Sequence, residues 1–478
     1  MFKRSLAIAL FALFSITLLV TIAEPQNLCP SGVRSDKLVC LIPQVFGPNG
    51  LVLPTLNVNL FQNGALTSAL KPLNSDLARQ SALMPLASPS SGITFYWDPV
   101  TKTFVPSTDS FGPIFGERAE TIGKYQVFLG SGYEYVQFDS IDGVNLKHLP
   151  VVLTQPDFTL NTSPPTTCSI NTANNFGDCA FIRDVIKTEN RIDFKMHQVT
   201  TFVSFGVTDR IDISAIIPIE NVRMGVFSNA TIANNSNSLA HTFQIVEGVC
   251  GSFSPPKPCL TNSFSNVRSV SGIGDITLRV KGTAWKGKRA ALALGVDFRT
   301  PTGDGLNFLG AGALGVKPFV VWSYRTRFSP HAFVGYEVNG SSKSAGDISK
   351  GTREKLPSQL TYSAGADVWL TKRITAAFDL VGQQVFEAGR VSVTSFTELP
   401  ACLGPLNSSC TPSNVAASGA SDQSLIQSTQ TFNITNASVG VKARPFSNLL
   451  ITGNVLIKMN DGGFRATAVP FVGISYTF

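Results

Sequence analysis

From residue 123 onward one unit recurs: a strand-like run, a tight turn, a second run, then a long polar loop. The runs fall at about 123–139, 190–207, 210–227, 271–284, 288–301, 313–326, 330–340, 357–371, 373–388, 428–443, 446–460 and 464–478. Short connections occur at Thr208-Asp209, Trp285 to Lys288, Thr326 to Ser329, Thr371-Lys372 and Arg444 to Asn448. They alternate with long ones at about 140–188, 229–270, 302–311, 341–356 and 389–427, and with a brief one at Asn460-Asp461-Gly462-Gly463. This is the periplasmic-turn, extracellular-loop rhythm of outer-membrane barrels. The expected fold is all-β: a transmembrane antiparallel β-barrel of about twelve strands. Each run is long enough for the roughly 9–11 tilted residues that cross a bilayer. An even count returns both termini to the periplasm of a bacterial, Gram-negative-type envelope.

The runs alternate with period two. Ile211, Ile213, Ala215, Ile217 and Ile219 interleave with Arg210, Asp212 and Ser214. Ala290, Leu292, Leu294, Val296 and Phe298 interleave with Asp297 and Arg299, and Gly274, Ile276, Leu278 and Val280 with Asp275, Thr277, Arg279 and Lys281. Such alternation puts one set on each face of a strand. In a barrel in lipid the apolar set faces out and the polar set lines the lumen. Charges are costly against lipid, so the candidate pore-lining residues are Asp193, Lys195, Asp275, Arg279, Lys281, Asp297, Arg299, Lys317, Glu337, Asp367, Asp379 and Lys458. Their mixed sign argues against a dedicated anion or cation channel. They either cross-brace a closed interior or line a solute path.

Trp285, Trp322, Tyr324, Trp369, Phe446, Tyr476 and Phe478 fall near the periplasmic ends of the runs, as an aromatic belt would. The last run carries Val472, Ile474, Tyr476 and Phe478 on one face. It resembles the terminal strand that barrel-assembly machinery recognises. The expected partners are that machinery, outer-membrane lipid and an unidentified small solute.

The start of the chain reads differently. Lys3 and Arg4 precede an apolar run from Leu6 to Val20, and Thr21-Ile22-Ala23 offers small residues for signal peptidase. We expect a signal peptide at 1–23 cleaved after Ala23. Residues 24–122 form an extension or plug before a barrel at 123–478. Leu66, Leu70, Leu73 and Leu77 have helical spacing broken by Pro72. Gly92 to Pro106 reads as a hairpin turning at Asp98-Pro99; if it joins the sheet the barrel has fourteen strands.

Eight cysteines form four close pairs, Cys29-Cys40, Cys168-Cys179, Cys250-Cys259 and Cys402-Cys410. Closing a short loop costs least entropy, and export permits oxidation, so four local disulfides are expected. Zinc would need C-x₂₋₄-C spacing or paired histidines, whereas His148, His197, His241 and His331 are scattered. No metal or cofactor site is expected.

The sequence offers little for catalysis. Gly310 to Gly315 matches G-x-G-x-x-G but bridges a loop and a strand instead of opening a helix. G-x-S-x-G is absent, and no histidine has a serine two residues on. Charged residues are only 14%, and no Lys/Arg run stands out as a phosphate-binding patch, so neither an enzyme nor a nucleic-acid binder is expected.

Several strand–turn phrases are recognisable: Phe205-Gly-Val-Thr-Asp-Arg-Ile-Asp-Ile213, Gly272-Ile-Gly-Asp-Ile-Thr-Leu-Arg-Val-Lys-Gly282, Ala291 to Phe298 leading into Thr300-Pro-Thr-Gly-Asp304, and Phe333-Val-Gly-Tyr336. They resemble the outer-membrane transporter family associated with meta-pathway phenol degradation, clearly over about 190–390. The phrase from Ser110 to Gly123 looks like the lead-in to the first strand in some such proteins. The resemblance implies a barrel that passes small hydrophobic or aromatic compounds, and carries over no ligand residue. The competing expectation is a closed, disulfide-braced surface protein, adhesive or structural, with no transport.

Overall fold

Twelve strands close into one antiparallel wall in the computed structural model: β1 Val127–Phe138, β2 Val185–Gly206, β3 Ile211–Ala233, β4 Thr277–Lys286, β5 Ala290–Arg299, β6 Gly315–Tyr324, β7 Phe328–Asn339, β8 Gln359–Thr371, β9 Ile374–Thr397, β10 Ser421–Ala443, β11 Leu449–Lys458 and β12 Ala468–Thr477. The structure describes residues 28–51, 53, 110–154, 183–237, 241–243, 259–348, 350–404, 414–446 and 448–478, and the backbone of 95–98 and 103–106. The expected signal peptide, the leucine spacing at 66–77 and the Cys168-Cys179 pair lie outside these residues.

Each strand pairs with its sequence neighbour, and β12 returns to pair with β1, placing Val472 opposite Tyr133 and Tyr476 opposite Leu129. The Phe478 N–H donates to the Val127 carbonyl at 2.8 Å. Closure leaves no open edge around the wall, which matters where lipid offers nothing to hydrogen-bond. The expected hairpin pairs only with itself, Phe95–Asp98 against Thr103–Pro106, so the count is twelve and the fourteen-strand alternative is not realised. Two further strands flank the wall instead. Leu149–Leu153 pairs with the upper part of β2, and Thr261–Ile273 continues along β3 beyond the end of β4.

The turn rhythm is reproduced: β2–β3, β4–β5, β6–β7, β8–β9 and β10–β11 turn tightly at one end, and long loops gather at the other. The 10-residue strands β5, β6, β11 and β12 suffice to cross a bilayer. In contrast β2, β3, β9 and β10 run 22 to 24 residues, roughly 75 Å at ~3.3 Å per residue, and project past it at the long-loop end. Ile211, Leu294, Val320, Val334, Phe378, Val439, Ile451, Val455, Val472 and Ile474 are exposed around the wall, which gives it an outward apolar belt. Six of the expected aromatic-belt residues stand at the tight-turn end, with Trp322 stacked beside Tyr324 and the Tyr476 ring tilted against Phe478. Trp369 is the exception. It lies opposite the fully buried Thr375, on the same interior face as Asp367. Residues two apart in a strand share a face, so both could not have had their expected roles.

Two described parts of 24–122, within 28–53 and at 110–122, pack against the interior face of the wall. Cys29 and Cys40 are disulfide-bonded and close a lobe whose Leu38, Val39, Leu41, Ile42, Leu51 and Leu53 are buried. That lobe shares one apolar cluster with Phe138, Phe194, Met196, Met224, Phe308 and Phe464. Phe46 meets Phe264 edge-on at 5.1 Å, and Lys37 pairs with Asp304 at 3.0 Å, which places the lobe at the long-loop end. Cys259 and Cys402 are also disulfide-bonded; their expected partners Cys250 and Cys410 lie outside the described residues.

Candidate functional site

Residues 110–123 form a buried strap across the tight-turn end of the lumen, and the luminal charges of the wall hold it. Glu117 accepts from Arg279 at 2.6 Å and from Lys281 at 3.1 Å. The Lys281 ammonium also donates to the carbonyls of Arg118 at 2.9 Å and Glu120 at 3.0 Å. Arg118 reaches Asp367 at 3.0 Å, and the Ser110 hydroxyl donates to the same carboxylate. Glu120 accepts from the Ser323 hydroxyl at 2.7 Å. The Ile122 N–H donates to Asp212 at 2.9 Å, and Lys442 donates to the carbonyls of Phe111 and Pro113. Every one of these groups is nearly excluded from solvent. In such surroundings each unmade contact costs more than it would in water, so the set fixes one strap position.

Two glycines let strap and wall approach. A Cβ at Gly116 would lie 2.5 Å from His331 Nε2 and 2.8 Å from the Asp379 carboxylate. A Cβ at Gly440 would lie 2.5 Å from the Ile114 side chain. Behind Gly116, His331 bridges Asp379 at 2.5 Å and Asp367 at 3.5 Å. This joins the two carboxylates that face the strap.

Ten of the twelve expected pore-lining residues lie on the interior face. Arg279, Lys281, Asp367 and Asp379 contact the strap. Asp297 holds Arg279 at 2.6 Å and Lys317 at 3.2 Å. Arg299 joins Asp275 at 2.9 Å to Glu337 at 3.1 Å, and Asp275 also accepts from the Gly303 and Ala311 N–H groups of the loop after β5. Lys458 pairs with Asp461 at 2.9 Å. In this conformation these residues brace the wall and seat the strap.

Asp193 and Lys195 are placed differently. Their neighbours Ile192, Phe194 and Met196 point inward into the apolar cluster, and the two charges alternate onto the outward face. At this height β2 has risen beyond the apolar belt, and its inner face meets the disulfide lobe instead of water. The polarity rule for the two faces is therefore reversed.

Sequence reasoning missed Glu117, Arg118, Glu120, His331 and Lys442. The only signal was three charges within four residues in a stretch with no strand period, immediately before the first wall strand.

The wall, its outward apolar belt and its filled interior define a transmembrane β-barrel of the outer-membrane type. Residues 191–394, from β2 into β9, match the family model described as "Putative MetA-pathway of phenol degradation", which bears out the resemblance over that part of the wall. No curated protein matches the sequence. Among solved structures, an outer membrane channel from Pseudomonas putida F1 is similar, with 10% identity over 75% of this chain and 98% of that one and a TM-score of 0.41. A Pseudomonas aeruginosa FadL homologue is similar with 11% identity over 84% of this chain and 97% of that one, and a TM-score of 0.30.

Proposed function

We propose that the protein is an outer-membrane facilitator for small hydrophobic or aromatic solutes, shut in this conformation by its own N-terminal strap. The tight-turn end faces the periplasm, with both termini on that side, and the long loops face outward. The barrel-assembly machinery reads the strand that ends in Phe478. The observation that carries this reading is the character of the interior. Above a polar latch, the lumen side of β2 and β3 carries Ile192, Phe194, Met196, Val222, Met224 and Val226, covered in this conformation by the N-terminal lobe, so that any path opened between lobe and wall has an apolar lining in place of the polar one of a water-filled pore. Such a surface suits solutes that partition out of water. The strap is a single segment held by side chains from β3, β4, β6, β8, β9 and β10, so its release would open the tight-turn end without disturbing the wall.

The second reading, a closed structural or adhesive barrel, is favoured by the completeness of the latch. Planar-bilayer conductance of the whole chain and of a Glu117→Gln/Asp367→Asn variant separates the two. The facilitator shows rare openings that become frequent in the variant. A barrel that stays silent in both forms would refute transport.

A further inference from the structure

The outward faces of β1, β2, β3 and the flanking strand Thr261–Ile273 change character between adjacent cross-strand rows. One row, Tyr133, Val199, Ile219 and Ile273, is apolar or aromatic and exposed. The next toward the long loops is Tyr135, His197, Asn221 and Ser271. The row after that places Lys195 directly opposite Arg223. Directly opposed like charges on a ladder are destabilising, and a bound anion between them offsets the repulsion. Among the described residues none supplies one. The nearby Asp193 is held by Arg191 at 2.6 Å, and Lys195, Arg223 and Arg268 make no ion pair with any described residue. Lys195, Arg223, His197 and Arg268 line one open concavity of about 690 Å³. The Tyr133 hydroxyl bonds His197 Nδ1 at 2.8 Å, marking where the apolar face gives way to donors.

We propose that this outward concavity docks the phosphate groups of a phosphorylated glycolipid of the outer leaflet, whose acyl chains lie along the apolar row below. Two observations select this occupant. The cluster is cationic and has no counter-charge among the described residues, which is charge complementarity for phosphate. It also adjoins the exposed apolar face directly, so one ligand with an anionic head and apolar chains satisfies both. The proposal rests on the orientation argued above, which makes the long-loop end the outer leaflet.

The test uses the full chain purified in a neutral detergent. Retention of a bis-phosphorylated disaccharide lipid, of its phosphate-free form and of phosphatidylglycerol is read by native mass spectrometry. The comparison is between the unaltered chain, Lys195→Gln/Arg223→Gln, and Lys288→Gln/Arg289→Gln at the opposite end. We expect the bis-phosphorylated lipid to bind the unaltered chain and the tight-turn variant alike, and to bind the Lys195/Arg223 variant about thirtyfold more weakly, at roughly fivefold per cation. Equal binding to all three proteins, or equal binding of the phosphate-free form, overturns the proposal and leaves the orientation intact. Preference of the concavity for phosphatidylglycerol overturns both, because that headgroup belongs to the inner leaflet.

Discussion

Replacing Glu117 by Gln should release the strap while the wall persists. The change keeps the shape of the side chain and removes the charge between Arg279 and Lys281, at 2.6 and 3.1 Å, where Glu117 is only 6% exposed. Removing one partner of a buried pair costs about 3–5 kcal/mol, because the other charge is left uncompensated. Arg279 keeps both of its bonds to Asp297, so the lower figure, about 3 kcal/mol, applies. The wall's ladder is untouched, and the cost falls on the strap's own docking equilibrium. At 1.4 kcal/mol per factor of ten, the undocked fraction rises on the order of a hundredfold. The assay is thiol labelling at Ile114→Cys, a strap position only 1% exposed, followed by mass spectrometry in the presence and absence of Glu117→Gln. Labelling should quicken by about that factor while heat-modifiability on gels stays unchanged. Unchanged labelling would refute the claim that the Glu117 pairs hold the strap, and loss of the folded band would refute the separation of strap from wall.

Other consequences follow from the same geometry. Gly116→Ala places a Cβ against His331 and Asp379 and should also raise Ile114→Cys labelling; equal labelling would show that the wall yields instead. Replacing Cys29 and Cys40 by Ser should destabilise the N-terminal lobe by about 3 kcal/mol, seen as faster proteolysis of residues 28–53 with the wall still protected. In single-tryptophan variants, brominated lipids should quench Trp285 and Trp322, which face out, and spare Trp369, which faces in; strong quenching of Trp369 would contradict its assigned face. Deleting Phe478 should lower the yield of assembled barrel in cells, and normal yield would remove its role as an assembly signal.

The wall was legible because lipid enforces a simple rule. Where a strand crosses hydrocarbon, its outer set must be apolar, so Leu294 and Val296 against Asp297 and Arg299 could be assigned to faces from sequence. The rule fails at Asp193 and Lys195 because β2 has left the hydrocarbon there. Period two still separates the faces, and only the lobe packed inside shows which is which. The strap was illegible for a different reason. Glu117, Arg118 and Glu120 sit in a phrase legible only as a lead-in to the first strand, and their partners Arg279, Asp367 and Arg325 lie far along the chain. Nothing local announces that a polar segment will be buried by distant charges of opposite sign. The Trp369 error was avoidable, since its shared parity with Asp367 was already visible.

The most direct measurement of the central claim is uptake into liposomes of a small aromatic alcohol and of a sugar of similar size, through the unaltered chain and through Glu117→Gln. A latched lumen with an apolar interior predicts slow aromatic uptake that the substitution accelerates strongly, with the sugar lagging in both proteins. Sugar uptake as fast as the aromatic, or no uptake through either protein, would contradict it.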